Sequence, residues 1–167
     1  MDELNKLNSK ELKKIFFTCC GSEEFAKSLA EAAPFKNEDD LTNKADKIWH
    51  ALSQEECLKA FSHHPPIGED LDSLRQKYKG TSTFTIGEQK GIAGASDETL
   101  EKLGKLNQDY LKKFTFVFLI CATGKSADQI LDILKVRIQN SIAQEIKNAK
   151  EEQALITKIR LKKILQG

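Results

Sequence analysis

Residues that bend or break a backbone are scarce in this chain, with three prolines and nine glycines among 167 residues. That argues against an all-β fold built on tight turns and against a disordered, low-complexity chain. Charge of one sign is missing too. Twenty-six Lys and Arg face 25 Asp and Glu, a formal net charge of +1, so no overall field draws the chain to nucleic acid or to an anionic membrane. No apolar run is long enough to span a bilayer, and no N-terminal stretch reads as a signal peptide. The four cysteines, at 19, 20, 57 and 121, form no CxxC pair, which fits a reducing compartment. The expected location is the cytoplasm.

What is present favours helices. Hydrophobic residues make up 40% of the chain and charged residues 31%, a balance that suits one all-α domain over residues 1–167 with a buried core. Leu4, Leu7, Leu12, Ile15, Phe16 and Cys19 recur at helical spacing across 3–19, and Ser22 is placed to cap a second helix that Pro34 ends. A third helix is expected over about 39–51. Ser53 and Glu56 have the spacing of a capping box for a fourth. Residues 65–84 read as a connection, with a short helix around 69–78. Thr85 and Glu88 again have capping-box spacing.

The periodicity is clearest in DETLEKLGKLNQDYLKKF, where Leu100, Leu103, Leu106, Tyr110, Leu111 and Phe114 share a face. FTFVFLICA, 114–122, is an unbroken apolar run too short to cross a membrane; it reads as a buried extended segment or a buried turn of helix. Ser126 and Gln129 then cap a helix carrying Ile130, Leu134 and Ile138. A last helix over about 141–165 is expected to bury a stripe of Ile142, Ile146, Leu155, Ile156 and Ile159.

Several motifs have bland explanations. ATGKS, 122–126, lacks the first glycine of a phosphate loop, since that position is Leu119; Gly124 as a turn and Ser126 as a cap explain it. GIAG, 91–94, has no strand before it and reads as close packing. His50, Cys57, His63 and His64 follow no structural-zinc spacing, so no metal is expected. Cys19 and Cys20 read as small core residues.

FSHHPPIGED is different, because two of the three histidines stand beside two of the three prolines. Proline fixes its own φ and drives the preceding residue out of the helical region, so His64 is expected in a stiff turn at a helix end. That holds an imidazole in place, although plain exposed turn residues remain the alternative.

HHPPIGE at 63–69, TIGEQ at 85–89, LNQDY at 106–110 and FTFVFLICATGKS at 114–126, in this order and spacing, resemble the 2-oxo-4-hydroxy-4-carboxy-5-ureidoimidazoline (OHCU) decarboxylases of urate breakdown. The resemblance covers nearly the whole chain, including KIRLKKIL at 158–165. It implies an all-helical homodimer without organic cofactor that converts OHCU to S-allantoin and CO2. It implies His64 as the catalytic acid/base with Glu88 as its polar partner. Pro65, Thr85, Ile86, Gly87 and Gln89 then line the substrate, and the backbone of Phe118, Leu119, Ile120, Cys121 and Ala122 holds its ring. Many relatives carry serine where Thr85 stands, a swap that keeps the hydroxyl.

The chemistry suits these groups. OHCU bears a carboxylate and a hydroxyl on a ring carbon beside a C=N bond, so the electron pair released with CO2 flows into that bond and no cofactor sink is required. What remains is to stabilise the developing charge and protonate one face. An imidazole with an ordinary pKa of about 6.5 gives or takes a proton near neutrality. Glu88 is suited to orient it, and an apolar wall favours the loss of charge as neutral CO2. The rival reading is a helical interaction module without catalysis, using the FTFVFLICA surface or the charged last helix to bind a partner.

Overall fold

The computed structural model describes residues 1–64 and 95–166. Among them are eight helices and no strand, as the composition predicts: α1 (Asp2–Asn5), α2 (Ser9–Cys20), α3 (Glu23–Glu31), α4 (Glu38–Ala51), α5 (Gln54–Ser62), α6 (Asp97–Phe114), α7 (Ala127–Arg137) and α8 (Ile142–Gln166). None of these helices is long and apolar enough to cross a membrane. The chain divides into two compact units, residues 1–64 with 150 onward, and residues 65–149. The continuous α8 supplies residues to both. The short helix expected around 69–78 and the Thr85 cap lie outside the described residues.

In the first unit, side-chain caps decide where helices begin. The helical spacing over 3–19 is interrupted at Asn8, whose side chain accepts from the Glu11 amide at 3.0 Å while Glu11 reaches back to the Asn8 amide at 2.9 Å. This reciprocal box starts α2 afresh three residues beyond the end of α1. Ser22 caps α3 as expected. Ser53 accepts from the Glu56 amide, but the Glu56 carboxylate turns to Lys59 at 2.7 Å, so only half of the expected box forms. α3 stops at Glu31, three residues before Pro34. Asn5 satisfies both backbone groups of Phe35, at 2.8 and 2.9 Å, in place of a missing strand partner.

The core of this unit gathers Phe16, Phe25, Leu29, Leu41, Trp49 and Phe61, all almost fully buried. Each large apolar side chain removed from water contributes roughly 1.5–3 kcal/mol. Trp49 also needs a partner for its indole N–H, which it finds in the Lys150 carbonyl at 2.8 Å. The Lys150 ammonium in turn meets the His50 and Leu52 carbonyls at 3.1 and 3.2 Å, a cation at the C-terminus of α4. Cys19, Cys20 and Cys57 are buried and form no disulfide, and burial pushes Cys20 up to about 12. Such a thiol is inert packing at neutral pH.

In the second unit, α6 buries Leu100, Leu103, Tyr110 and Phe114, while Leu111 is partly exposed. It ends on Thr115 with φ +65, whose amide donates to Leu111 at 2.9 Å. Residues 116–122 then run as irregular backbone, so the turn of helix that was one of the two expectations does not form. Gly124 makes the turn with φ +78, and Ser126 and Gln129 form a full capping box at the start of α7.

The face of α8 departs in part from expectation. Of the expected stripe Ile156 is buried and Ile146 and Ile159 are partly buried, but Ile142 and Leu155 are half exposed, whereas Glu145, Ala149, Gln153, Thr157 and Leu161, spaced by four, are buried. Three of these five are polar. They are tolerated because each has hydrogen-bond partners, whereas hydrophobic spacing records only apolar positions.

Candidate functional site

His64 follows the last turn of α5, its amide donating to the Phe61 carbonyl at 3.1 Å. His63 takes the C-cap, and its ring lies edge-on to Phe17 with centroids 5.1 Å apart. Gly21 makes room for this corner. With φ +78 it closes α2, and a Cβ placed on it would lie 2.8 Å from the His63 Cβ. A side chain there would meet strain and a clash together.

The His64 imidazole is held from α8. Its Nε2 lies 2.6 Å from Gln153 Oε1, and the Gln153 amide nitrogen donates to Thr157 Oγ1 at 3.0 Å. Gln153 is fully buried. The sequence reading missed it. Its signal is the spacing-four run of buried positions on α8, which includes polar residues that a hydrophobic search skips.

The predicted partners Pro65, Thr85, Ile86, Gly87, Glu88 and Gln89 lie outside the described residues. Phe118 to Ala122 are described, in the second unit. Phe118, Leu119 and Cys121 are buried, Ile120 and Ala122 half buried. Their backbone is pinned by cations of the same unit. Arg137 Nη1 donates to the Leu119 carbonyl at 2.7 Å, Lys125 Nζ donates to the Cys121 carbonyl at 2.7 Å, and the Lys125 amide donates to the Ala122 carbonyl at 3.0 Å. The Lys125 ammonium therefore serves the chain itself, in keeping with the bland reading of ATGKS.

Behind the segment sits a buried polar cluster. Arg137 Nε donates to Glu145 Oε2 at 2.9 Å, and Tyr110 donates to the same oxygen at 2.5 Å. Asn140 and Asn148 both donate to Oε1 at 2.7 Å. Burial works to raise the Glu145 pKa, but the bonds from Arg137, Tyr110 and Asn140 outweigh it and hold the carboxyl below its ordinary range. Burial, then the hydrogen bond to Glu145, pushes the Tyr110 phenol well up, so it remains a donor.

Among the described residues no group of three or more His, Cys, Asp or Glu is placed to hold a metal ion. A cavity of about 180 Å³ in the first unit is bounded by Thr42, Asp46, Trp49, Thr157 and Lys158 among others, and none of the predicted site residues lines it.

Residues 5–162 match the family model of OHCU decarboxylase. The chain belongs to the OHCU decarboxylase family. The match runs through residues of both units. An OHCU decarboxylase of Amia calva is 30% identical over 147 residues, covering 84% of this chain and 79% of that protein. A uric acid degradation bifunctional protein of Arabidopsis thaliana is 34% identical over 148 residues, which is 87% of this chain; the chain spans 45% of that protein's length. The crystal structure of an OHCU decarboxylase in the presence of (S)-allantoin superposes with a TM-score of 0.73 at 31% identity, over 91% of this chain and 97% of that one.

Proposed function

We propose that this protein is a cofactor-independent carboxy-lyase that converts OHCU to S-allantoin and CO2 in urate degradation. The observation that carries the reading is the family match over residues 5–162, seen together with a His64 ring held in a fixed orientation by a buried amide. In this reading the C–CO2 bond breaks, its electron pair enters the adjacent ring C=N bond, and His64 supplies the proton that completes allantoin on one face. Glu88 orients the imidazole or a substrate N–H. Pro65, Thr85, Ile86, Gly87 and Gln89 bound the ring and ureido group.

The backbone of Phe118–Ala122 contributes fixed dipoles. Since the Leu119, Cys121 and Ala122 carbonyls already accept bonds within the protein, the proposal assigns the amide hydrogens of this stretch to substrate oxygens. Preorganised N–H groups stabilise developing negative charge without reorganising during the reaction. We further propose a cytoplasmic homodimer, with OHCU as its small-molecule partner.

Circular dichroism of the product formed from fresh OHCU tests this directly, because unaided decay gives racemic allantoin. The wild type is expected to produce an optically active signal, and His64→Ala to lose about 10²–10⁴ in turnover, the range for a general acid/base, with its helical spectrum intact. Stereospecific turnover unchanged in that variant removes His64 from the chemistry. Racemic product at the uncatalysed rate with wild-type protein supports the interaction module. Glu88→Gln is expected to lower activity per folded molecule; a fall in thermal midpoint alone assigns Glu88 to capping.

A further inference from the structure

We infer that Gln153 is the positioning residue of this active site, holding His64 in the Nε2–H tautomer so that Nδ1 is the ring atom that exchanges the proton with substrate. The inference rests on the reading of His64 as the acid/base and deepens it by naming the atom and the residue that selects it.

The geometry leads there in three steps. A neutral imidazole carries one N–H and one lone pair, and the hydrogen bond made by one nitrogen decides the role of the other. An amide oxygen accepts and never donates, so the 2.6 Å contact to Gln153 Oε1 requires the proton on Nε2. The other end of the amide is engaged as well, its nitrogen donating to Thr157 Oγ1 at 3.0 Å. Donors and acceptors then alternate from His64 through Gln153 to Thr157.

Burial gives the arrangement its stiffness. Gln153 is fully buried and Thr157 is 3% exposed, so water does not compete for the amide and the alternative rotamers would leave a buried polar group unsatisfied. Gln153 and Thr157 stand one turn apart on α8, which delivers the amide to the end of α5 where His64 stands. The role is therefore built into the core of the first unit. An amide also suits the task better than a carboxylate. It accepts the Nε2 proton in both the neutral and the charged state of the ring without fixing a negative charge beside it, so the imidazole remains free to cycle.

The test uses the full-length protein labelled with 15N-histidine. Its three histidines are assigned by comparison with His64→Ala, and the His64 resonances are followed with pH beside the pH dependence of kcat. In the wild type, neutral His64 is expected to show a protonated Nε2 and an unprotonated Nδ1. Gln153→Leu is expected to lose that single tautomer and to lower kcat by about 10-fold or more, bounded by the roughly 10²–10⁴ that an acid/base residue contributes. Its KM should change little. Gln153→Glu keeps an acceptor and is expected to retain the tautomer while moving the His64 limb of the pH profile upward, since a carboxylate favours the imidazolium.

An unprotonated Nε2 in the wild type overturns the inference, because it means that the amide is reversed and donates to the ring. Unchanged kcat and pH profile in Gln153→Leu also overturn it. If Gln153→Leu does not fold, the wild-type spectrum and Gln153→Glu decide the matter. Full stereospecific activity in His64→Ala is a separate failure, that of the proposed function.

Discussion

Arg137 holds Phe118 and Leu119 at the same time: its guanidinium lies 4.7 Å over the Phe118 ring while Nη1 donates to the Leu119 carbonyl at 2.7 Å. The same side chain makes an ion pair with buried Glu145, with Nη2 and Oε2 2.9 Å apart. One planar fork thus ties an irregular segment to α8, stacking on Phe118 while Nε donates to Glu145 and Nη1 to the Leu119 carbonyl.

Arg137→Lys keeps the charge and loses the fork. The variant is expected to fold, with amides 118–122 exchanging hydrogen faster than in the wild type. If these amides bind substrate, KM rises by about tenfold, in line with roughly 1.5 kcal/mol for a charge-assisted hydrogen bond, while kcat falls less. Hydrogen exchange resolved to that segment, with steady-state kinetics beside it, checks both parts. Unaltered exchange there would mean that the Leu119 contact restrains nothing.

Glu145 makes stability depend on acid. Its folded pKa lies below the ordinary 4.5, so its stabilisation is complete above that value and is lost as pH falls from 4.5 through the lower folded value. Glu145→Gln leaves Arg137 buried without its counter-charge and is expected to cost about 3 kcal/mol at pH 7. The gap between wild type and variant should narrow as pH falls below 4.5. Thermal midpoints at pH 7, 4 and 3 measure it; a constant gap would exclude the linkage.

Two left-handed helix ends make opposite predictions. Gly21, at φ +78 and crowded by His63, has the residue its conformation favours; Thr115, at φ +65, is a β-branched residue in the same region. Gly21→Ala is expected to lose at least about 1–2 kcal/mol, and Thr115→Gly to gain up to about 1 kcal/mol. At roughly 2–4 °C per kcal/mol for a chain of this size, calorimetry resolves both signs. Equal effects in one direction would show that the backbone conformation is not what governs these positions.

Local signals carried most of the helix assignments. Ser22, Ser53, Ser126 and the α6 periodicity each act within a few residues, so the relevant physics lies in the neighbouring sequence. The Asn8 cap was missed, because apolar spacing continues across it and hides the break. The site was legible only in part. The histidine corner declared itself through its prolines, and the 118–122 run through its composition. Gln153, Arg137 and Glu145 did not, since their partners stand 89, 18 and 35 residues away in His64, Leu119 and Tyr110.

Helical class and most helix starts follow from short-range sterics and hydrogen bonding, which the order of residues specifies directly. Which face of α8 is buried, which imidazole nitrogen is held and which cations pin the 119–122 carbonyls were settled only by packing. A polar side chain is stable inside a protein when distant groups complete its hydrogen bonds, and no local pattern records where those groups will come to rest.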